Sequence, residues 1–330
     1  MSAGAPELLL EPESVSESVE IVPGDILARS PRQLFWRRFR RDRVATASAA
    51  FIIVLIVVAI LAPLVVKLLG LQGPNVQNPN ALDAFGSPTG PSAAHPFGVD
   101  QLGRDVASRV IYGARASLIV GIVGTLVATL LGTAMGLLAG YYRGWTDTFI
   151  SRTVDVFLAF PVLVLGLGIG AACEVRGCFS IGGTKLIQPG IVTVIFIIMI
   201  SSFTYIARIV RGQVLSLRKK EFVEAARSLG ASNSRILFRE VLPNLLAPLI
   251  VYASLLIPVN ILLEAALSFL GVGIRPPTAS WGQMISDATP TFSTAWWYMV
   301  FPGAALLLTV LAFNLVGDGL LDALNPRGDR

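Results

Sequence analysis

Residues capable of covalent or redox chemistry are few in this sequence. The chain has two cysteines, Cys173 and Cys178, and a single histidine, His95. The cysteine spacing is not Cys-x-x-Cys and no Cys/His cluster has metal-ligand spacing, so we expect no thiol-redox, metal or cofactor-binding site. In an oxidising compartment the two cysteines can close a short disulfide-bonded loop, and we predict that bond.

The sequence also lacks the usual residue patterns of hydrolytic enzymes and of nucleotide-binding proteins. No Ser/His/Asp or paired-carboxylate arrangement is present, so we predict no catalytic residue. Gly182-Gly183-Thr184-Lys185 is not a Gly-x-x-x-x-Gly-Lys-Ser/Thr loop, which is the pattern that binds nucleotide phosphates. Three carboxylates, Asp155, Glu264 and Asp318, fall at the ends of apolar runs. Each can line a membrane path, but we favour interfacial placement in water for all three.

The strongest indication of binding chemistry is a hydrophilic block between two apolar runs, Glu221 to Gly230, continuing to Pro243. Its first part favours helix, and Phe222, Ala225, Ala226 and Leu229 share one apolar face. Gly230 is expected to end this helix, Ser232 or Ser234 to cap a second one, and Pro243 to end or kink that second helix. Two adjacent alanines make one side thin enough to enter a groove of another protein, while a connector lying on the membrane surface is the alternative.

The elements that position this block are membrane-spanning helices. The chain of 330 residues is 54% hydrophobic and 14% charged, with a mean hydropathy of +0.69. Crossing a bilayer takes about 20 apolar residues of helix. Six runs free of Asp, Glu, Lys and Arg are candidates: 44–66, 116–142, 156–173, 186–207, 241–263 and 288–317, the last beginning its span near Trp296.

Positive charge gives the predicted orientation. With the N-terminus inside, 19 of the 26 Lys and Arg residues fall in inside segments, eight of them in or beside the hydrophilic block. The positive-inside rule therefore places both termini in the cytoplasm. The acidic start does not look like a cleavable signal peptide.

The chain divides into five predicted regions. Residues 1–29 form a disordered cytoplasmic tail. Residues 30–43 form a basic amphipathic juxtamembrane segment, which is either a lipid-binding interfacial helix or a simple topology signal. Residues 44–66 form the first span. Residues 67–113 form an ordered loop outside the membrane, and 114–330 hold the other five spans. Within the second span, Gly132, Gly136 and Gly140 lie on one helix face and predict close helix packing, within this subunit or across a dimer seam.

The hydrophilic block resembles the "EAA" motif in the membrane subunits of binding-protein-dependent ABC importers. The matching residues are Glu224-Ala225-Ala226, Gly230 and Leu242-Pro243. Further stretches resemble the DppC/OppC type of the peptide/nickel branch: 95–105 (HPFGVDQLGRD), 140–144 (GYYRG), 155–161 (DVFLAFP), 264–271 (EAALSFLG), Pro276-Pro277 and 280–282 (SWG). The resemblance runs from about residue 30 to the C-terminus; residues 1–27 and the loop with Cys173 and Cys178 have no usable counterpart.

This resemblance implies an all-α polytopic membrane bundle of six transmembrane helices with the type I importer (MetI-like) architecture. The ATPase-coupling residues it implies are Glu221, Glu224, Ala225, Ala226, Leu229, Gly230, Leu242 and Pro243. Implied partners are a homologous DppB/OppB-like permease, two cytoplasmic DppD/DppF-like ATPases that bind ATP and Mg, an extracytoplasmic substrate-binding protein and membrane lipid, with no nucleic acid.

The sequence leaves more than one substrate class and more than one class of membrane protein open. The resemblance favours di- and oligopeptides, with nickel as a related option, and makes this chain a non-enzymatic pore subunit of the bacterial inner membrane. The main rival is an ion- or proton-coupled secondary transporter, which should carry charges deep inside its spans and show related halves. A non-transporting membrane scaffold is the second rival, and it leaves the helix–Gly–helix block unexplained.

Overall fold

A computed structural model describes residues 31–324 except 177, 182–183 and 188–189, with side chains described except at 31–32, 34 and 174–189. The predicted tail 1–29 lies outside the described residues. The described part is mostly helical. Its helices are α1 (Pro31–Arg41), α2 (Arg43–Ile60), α3 (Ala62–Leu68), α4 (Val106–Tyr142), α5 (Gly144–Ala159), α6 (Val162–Arg176), α7 (Ile191–Leu217), α8 (Glu221–Ser228), α9 (Asn233–Arg235), α10 (Leu242–Phe269), α11 (Trp281–Ala288) and α12 (Trp297–Leu324). Strands β1 (Cys178–Ile181) and β2 (Thr184–Ile187) form a short antiparallel hairpin.

Five helices are long and apolar enough to cross a membrane, and a sixth span exists if α5 and α6 are counted as one. These two helices meet at an angle of 88°. The prediction of one continuous span over 156–173 is therefore wrong. Phe160 takes an extended conformation (φ −87°, ψ 133°) directly before Pro161, because a residue preceding proline disfavours helical geometry.

The second span begins well before its predicted start at residue 116. Asp105 caps α4, its side chain accepting a hydrogen bond from the Ser108 backbone N–H at 2.7 Å, so the helix starts at Val106. The charges of Arg109 and Arg115 ended the apolar run in the sequence without ending the helix. The first predicted span is likewise two helices, because α2 stops at Ile60 and α3 begins at Ala62 with a proline in its first turn.

Helices α4 and α7 pack tightly against each other through the face that carries Gly132, Gly136 and Gly140. A Cβ atom added at Gly136 would lie 2.6 Å from Val210 Cβ, and one added at Gly140 would lie 2.7 Å from Val214 Cβ. Contacts this short leave no room for a side chain. The glycine face thus packs within this subunit.

Polar side chains join the helices inside the bundle. Glu264 on α10 has no solvent exposure and accepts hydrogen bonds from the hydroxyls of Ser117 (2.8 Å) and Ser268 (2.8 Å). The prediction that Glu264 lies in water at the membrane interface is therefore wrong. Two serine hydroxyls take the place of water around its carboxylate, and a run of apolar residues does not reveal such partners. Asp155 and Asp318 are exposed in the isolated chain, and their placement in interfacial water stays a prediction.

A second buried set connects three helices at once. The Asn260 amide of α10 donates to Thr125 Oγ1 of α4 (2.8 Å) and its oxygen accepts from Ser202 Oγ of α7 (2.8 Å). Buried side chains that are fully hydrogen-bonded in this way favour one packing arrangement over others. The three helices α4, α7 and α10 thus form the polar-linked centre of the bundle.

The loop of residues 69–105 and α11 fold together over one end of the bundle, and we call this region the loop cap. Asp100, Asp105 and Arg109 have no solvent exposure there. Indole N–H groups attach it to the bundle, since Trp297 donates to the Val99 carbonyl (3.1 Å) and Trp281 to the Val110 carbonyl (3.0 Å). The prediction of an ordered loop agrees with this network.

The two ends of the described chain differ from these central elements. Helix α1 packs Phe39 against Ala45 and Ala323, while Arg40 lies 5.2 Å from the exposed ring of Trp36.

Cys173 is buried and disulfide-bonded. The side chain of Cys178 lies outside the described ones, so its predicted pairing with Cys173 stays a prediction.

Candidate functional site

The hydrophilic block forms two helical elements joined by a tight turn, and we call residues 221–243 the coupling segment. Helix α8 covers Glu221–Ser228, as the composition predicts. Gly230 follows with φ +79°, the left-handed conformation expected of a helix-ending glycine. Ser232 caps the next helix by accepting a hydrogen bond from the Arg235 N–H at 3.4 Å.

The second helix departs from the prediction at Pro243. It runs through a π-helical stretch, Ile236–Val241, directly into α10, so that 233–269 is one 37-residue span candidate. Of the two predicted outcomes for Pro243, an end or a kink of this helix, the end is wrong, because the helix continues past the proline; the kink stays a prediction. The wide turns already interrupt the i→i−4 ladder, with the Leu242 N–H bonded to the Leu237 carbonyl, and the proline falls in the first turn of α10 where its missing N–H is tolerated.

The two sides of α8 face different surroundings. Val223 is fully buried and Ala226 is half-buried, both packed on a cluster from α4, α7 and α10. Phe222 is 38% exposed and Leu229 87% exposed, with Ala225 also exposed between them. The four-residue apolar face predicted from the sequence is thus divided: Ala226 anchors α8 to the bundle, and the other three residues form an open surface.

The base of the coupling segment is tied to the ends of α4 and α7. The Tyr141 hydroxyl hydrogen-bonds Asn233 Oδ1 at 2.8 Å, and Arg218 Nη1 donates to the Tyr141 carbonyl at 3.0 Å. A cation at the last carbonyls of α4 is favoured by the helix dipole. Desolvation, with repulsion from Arg143 and Arg227, lowers the pKa of the Arg218 guanidinium. Asn233 and Arg218 thus link the base of the coupling segment and the end of α7 to the last turn of α4.

The four remaining predicted coupling residues differ in how far they are exposed. Glu221 and Glu224 are exposed on the first turn of α8, where carboxylates suit the helix dipole. Leu242 is half-buried against the same cluster as Val223, and Pro243 is exposed.

Sequence reasoning missed Phe238, which is 62% exposed on the π-helical stretch beside α8. An apolar residue between Arg235 and Arg239 in a polar segment was the available signal. It also missed the buried Asn260 and Glu264 sets, for which Ser, Thr and Asn within apolar runs were the only indication.

Among the described residues, the structure is a helical bundle of five or six candidate membrane spans, with the short helix α8 anchored to the bundle outside those spans. Residues 132–330 match the family model described as "Binding-protein-dependent transport system inner membrane component", and residues 30–84 match "N-terminal TM domain of oligopeptide transport permease C". The chain belongs to this family of importer permeases.

Relatives of known name cover nearly the whole chain. It is 41% identical over 315 residues to the glutathione transport system permease protein GsiD of Shigella boydii serotype 4, covering 96% of each chain. Identity to the GsiD of Escherichia coli O6:K15:H31 is 42% over 299 residues, with 91% of each covered.

Among solved structures, the chain is similar to an inward-facing form of the MetNI methionine ABC transporter. The TM-score is 0.53 at 20% identity, over 66% of this chain and 96% of that one. This supports the predicted MetI-like fold. Family membership also removes the secondary-transporter and scaffold alternatives.

Proposed function

We propose that this chain is the pore-forming subunit of an ATP-driven importer for small peptides, in which α8 docks into a cytoplasmic ATPase subunit. The observation that carries the proposal is the divided surface of α8. Its buried side is fixed to the bundle through Val223, while Phe222, Ala225 and Leu229 are left open. A partner groove that accepts a helix through a thin apolar side matches this surface.

The attachment of α8 supports a lever mechanism. After the turn at Gly230 the segment continues from Asn233 into α10 as one helix, and Asn260 of α10 is hydrogen-bonded to α4 and α7. A displacement of α8 by the ATPases would move these helices as a unit and shift the pore between outward- and inward-open states. In this scheme ATP and Mg bind to the two partner ATPases, and this chain performs no catalysis.

The assembly has further parts: a homologous permease completes the pathway and an extracytoplasmic binding protein delivers substrate. The relatives are named for glutathione, a tripeptide, which supports a peptide-like substrate. Nickel is the second candidate. Co-purification in mild detergent, followed by uptake in proteoliposomes of a tripeptide and of Ni²⁺, tests both the assembly and the substrate. Recovery of the chain without ATPases would contradict the proposal.

Orientation is part of the proposal, with both termini and α8 in the cytoplasm. The buried disulfide at Cys173 supports it, because α8 and the α6 end of the bundle lie at opposite ends of α7 and disulfides persist in oxidising compartments. A Ser234→Cys variant lacking both native cysteines should react in intact cells only with a membrane-permeant thiol reagent. Labelling by an impermeant reagent would reverse the topology.

A further inference from the structure

A cavity beside the loop cap has a chemistry that the proposed mechanism does not use. It measures about 420 Å³ and lies between α4, the start of α7 and two loops. Its lining includes Pro74, Asn75, Tyr112, Arg115, Ile119 and Thr278. This volume is within the range of pockets for small ligands, about 300–1,000 Å³.

Arg115 is the one charged side chain of this cavity lining, and it is exposed. The contrast with its neighbours is clear. Arg104 and Arg109 both lie against Asp100, with Nε–Oδ2 distances of 2.7 Å and 3.6 Å. Arg115 makes no ion pair or hydrogen bond with any described residue. Six residues of helix, about 9 Å, separate Arg115 from Arg109, which lies against Asp100.

The position of Arg115 fits a substrate site. It heads a stripe of exposed apolar residues along α4, formed by Ile119, Val123, Leu126 and Leu130. In the proposed assembly the second permease packs on this stripe, which places Arg115 at the mouth of the path. Asn75, oriented with its amide nitrogen toward the Pro277 carbonyl (2.7 Å), joins the two loops that wall this mouth.

The side chains present favour a carboxylate ligand. A guanidinium binds a carboxylate through two parallel N–H···O bonds, and the hydroxyls of Tyr112 and Thr278 add further hydrogen-bonding groups. Proline and isoleucine walls suit the apolar part of a short peptide. We infer that Arg115 binds the C-terminal carboxylate of the peptide at the entrance of the path, an inference that rests on the proposed peptide import.

The test uses the assembled complex in nanodiscs without the binding protein. Equilibrium binding of radiolabelled trialanine and of its C-terminal amide is compared in wild type, Arg115→Gln, Arg115→Lys and Lys67→Gln. Lys67 is an exposed cation outside the cavity and serves as the matched control. Removing a hydrogen bond to a charged group lowers affinity by about tenfold to hundredfold.

We expect Arg115→Gln to weaken trialanine binding by about tenfold or more, with Arg115→Lys intermediate, because lysine keeps the charge without the planar fork. Binding of the amide should change less than about twofold. Equal losses for acid and amide, or binding of neither by the wild type, would overturn the inference.

Two further measurements separate the sources of the carboxylate and the two proposals. The affinity of the empty binding protein for the complex should be the same in wild type and Arg115→Gln. A loss there would assign Arg115 to an acidic side chain of the docked protein and overturn the inference. Uptake of trialanine by the wild-type complex with its binding protein decides peptide import by itself, whatever the outcome at Arg115.

Discussion

The loop cap and the coupling segment are both polar regions outside the apolar spans, yet they handle their polar and apolar groups in opposite ways. In the loop cap the carboxylates of Asp100 and Asp105 are fully buried, as is the adjoining Arg109 of α4, and these groups are bonded to one another or to backbone. In the coupling segment the charges are outside, and apolar side chains such as Leu229 are exposed with them.

This difference separates a self-contained structure from one that needs a partner. Buried charges are costly unless they are paired within the fold, and Asp100 and Asp105 of the cap have such partners. Exposed apolar residues on a firmly anchored helix are typical of an interaction surface. We therefore expect substitutions in the cap to lower stability, and substitutions on the open side of α8 to lower transport while leaving the fold intact.

The largest effect is expected from removing one buried carboxylate of the cap. Asp100 accepts hydrogen bonds from the backbone N–H groups of Leu102 (2.9 Å) and Arg104 (3.0 Å), and from Arg104 Nε (2.7 Å). Asp100→Ala leaves two arginines without their carboxylate. Breaking a buried pair costs about 3–5 kcal/mol, so thermal unfolding of the purified complex should occur at a clearly lower temperature.

The matched control is Glu224→Ala, which removes an exposed carboxylate from α8. Its effect on the free energy of unfolding should stay within about 0.5 kcal/mol. If both variants lowered the unfolding temperature equally, the distinction between the two regions would be lost.

A pair of glycines gives the next largest difference. Gly103 of the cap (φ +70°) and Gly230 of the coupling segment (φ +79°) share the left-handed conformation. A Cβ atom at Gly103 would overlap the Asn78 carbonyl oxygen, whereas one at Gly230 would meet nothing within 4 Å. Alanine should therefore cost about 2–4 kcal/mol at Gly103, where backbone strain and overpacking add, and about 1 kcal/mol at Gly230. Thermal unfolding of the two variants side by side measures this, and equal costs would contradict it.

Bulk on the open side of α8 should act on transport alone. Ala225→Trp places a large ring between Phe222 and Leu229, where we propose that the ATPase groove closes. We expect at least a tenfold loss of uptake, equivalent to about 1.4 kcal/mol, with unchanged thermal stability because Ala225 is exposed. Ala93→Trp adds the same ring to an exposed position of the cap and should transport normally. Wild-type uptake by Ala225→Trp would refute docking at this surface.

The sequence predicted the helices and the membrane-protein class, because these depend on local periodicity. It predicted the turn at Gly230 because glycine has a strong backbone preference. It did not predict the 88° break at Pro161, and it left open whether Pro243 ends or kinks its helix, since the effect of a proline depends on whether neighbouring turns can compensate. It also misjudged Glu264, whose serine partners lie up to 147 residues away. Partners brought together only by packing leave no pattern along the chain.

The smallest expected effect tests whether every charge of the cap is favourable. Asp287 on α11 is half-buried, and its Oδ2 accepts a hydrogen bond of 3.4 Å from the Tyr298 hydroxyl. Burial raises the pKa of this carboxyl, against the opposing attraction of Arg109 and Arg104. A raised pKa means that the folded state holds the proton more tightly than the unfolded state, so the contribution of Asp287 to stability falls as the pH rises from its unfolded pKa of about 3.9 through the folded one.

Asp287→Asn removes the ionisation while keeping a side chain of the same shape. At pH 8 the variant should unfold at a slightly higher temperature than wild type, by less than about 2 °C, and the difference should shrink as the pH is lowered toward 4.5. Unfolding temperatures measured across this range decide the sign. A variant that is less stable than wild type at pH 8 would mean that the two arginines outweigh desolvation, and that Asp287 stabilises the cap in the same way as Asp100.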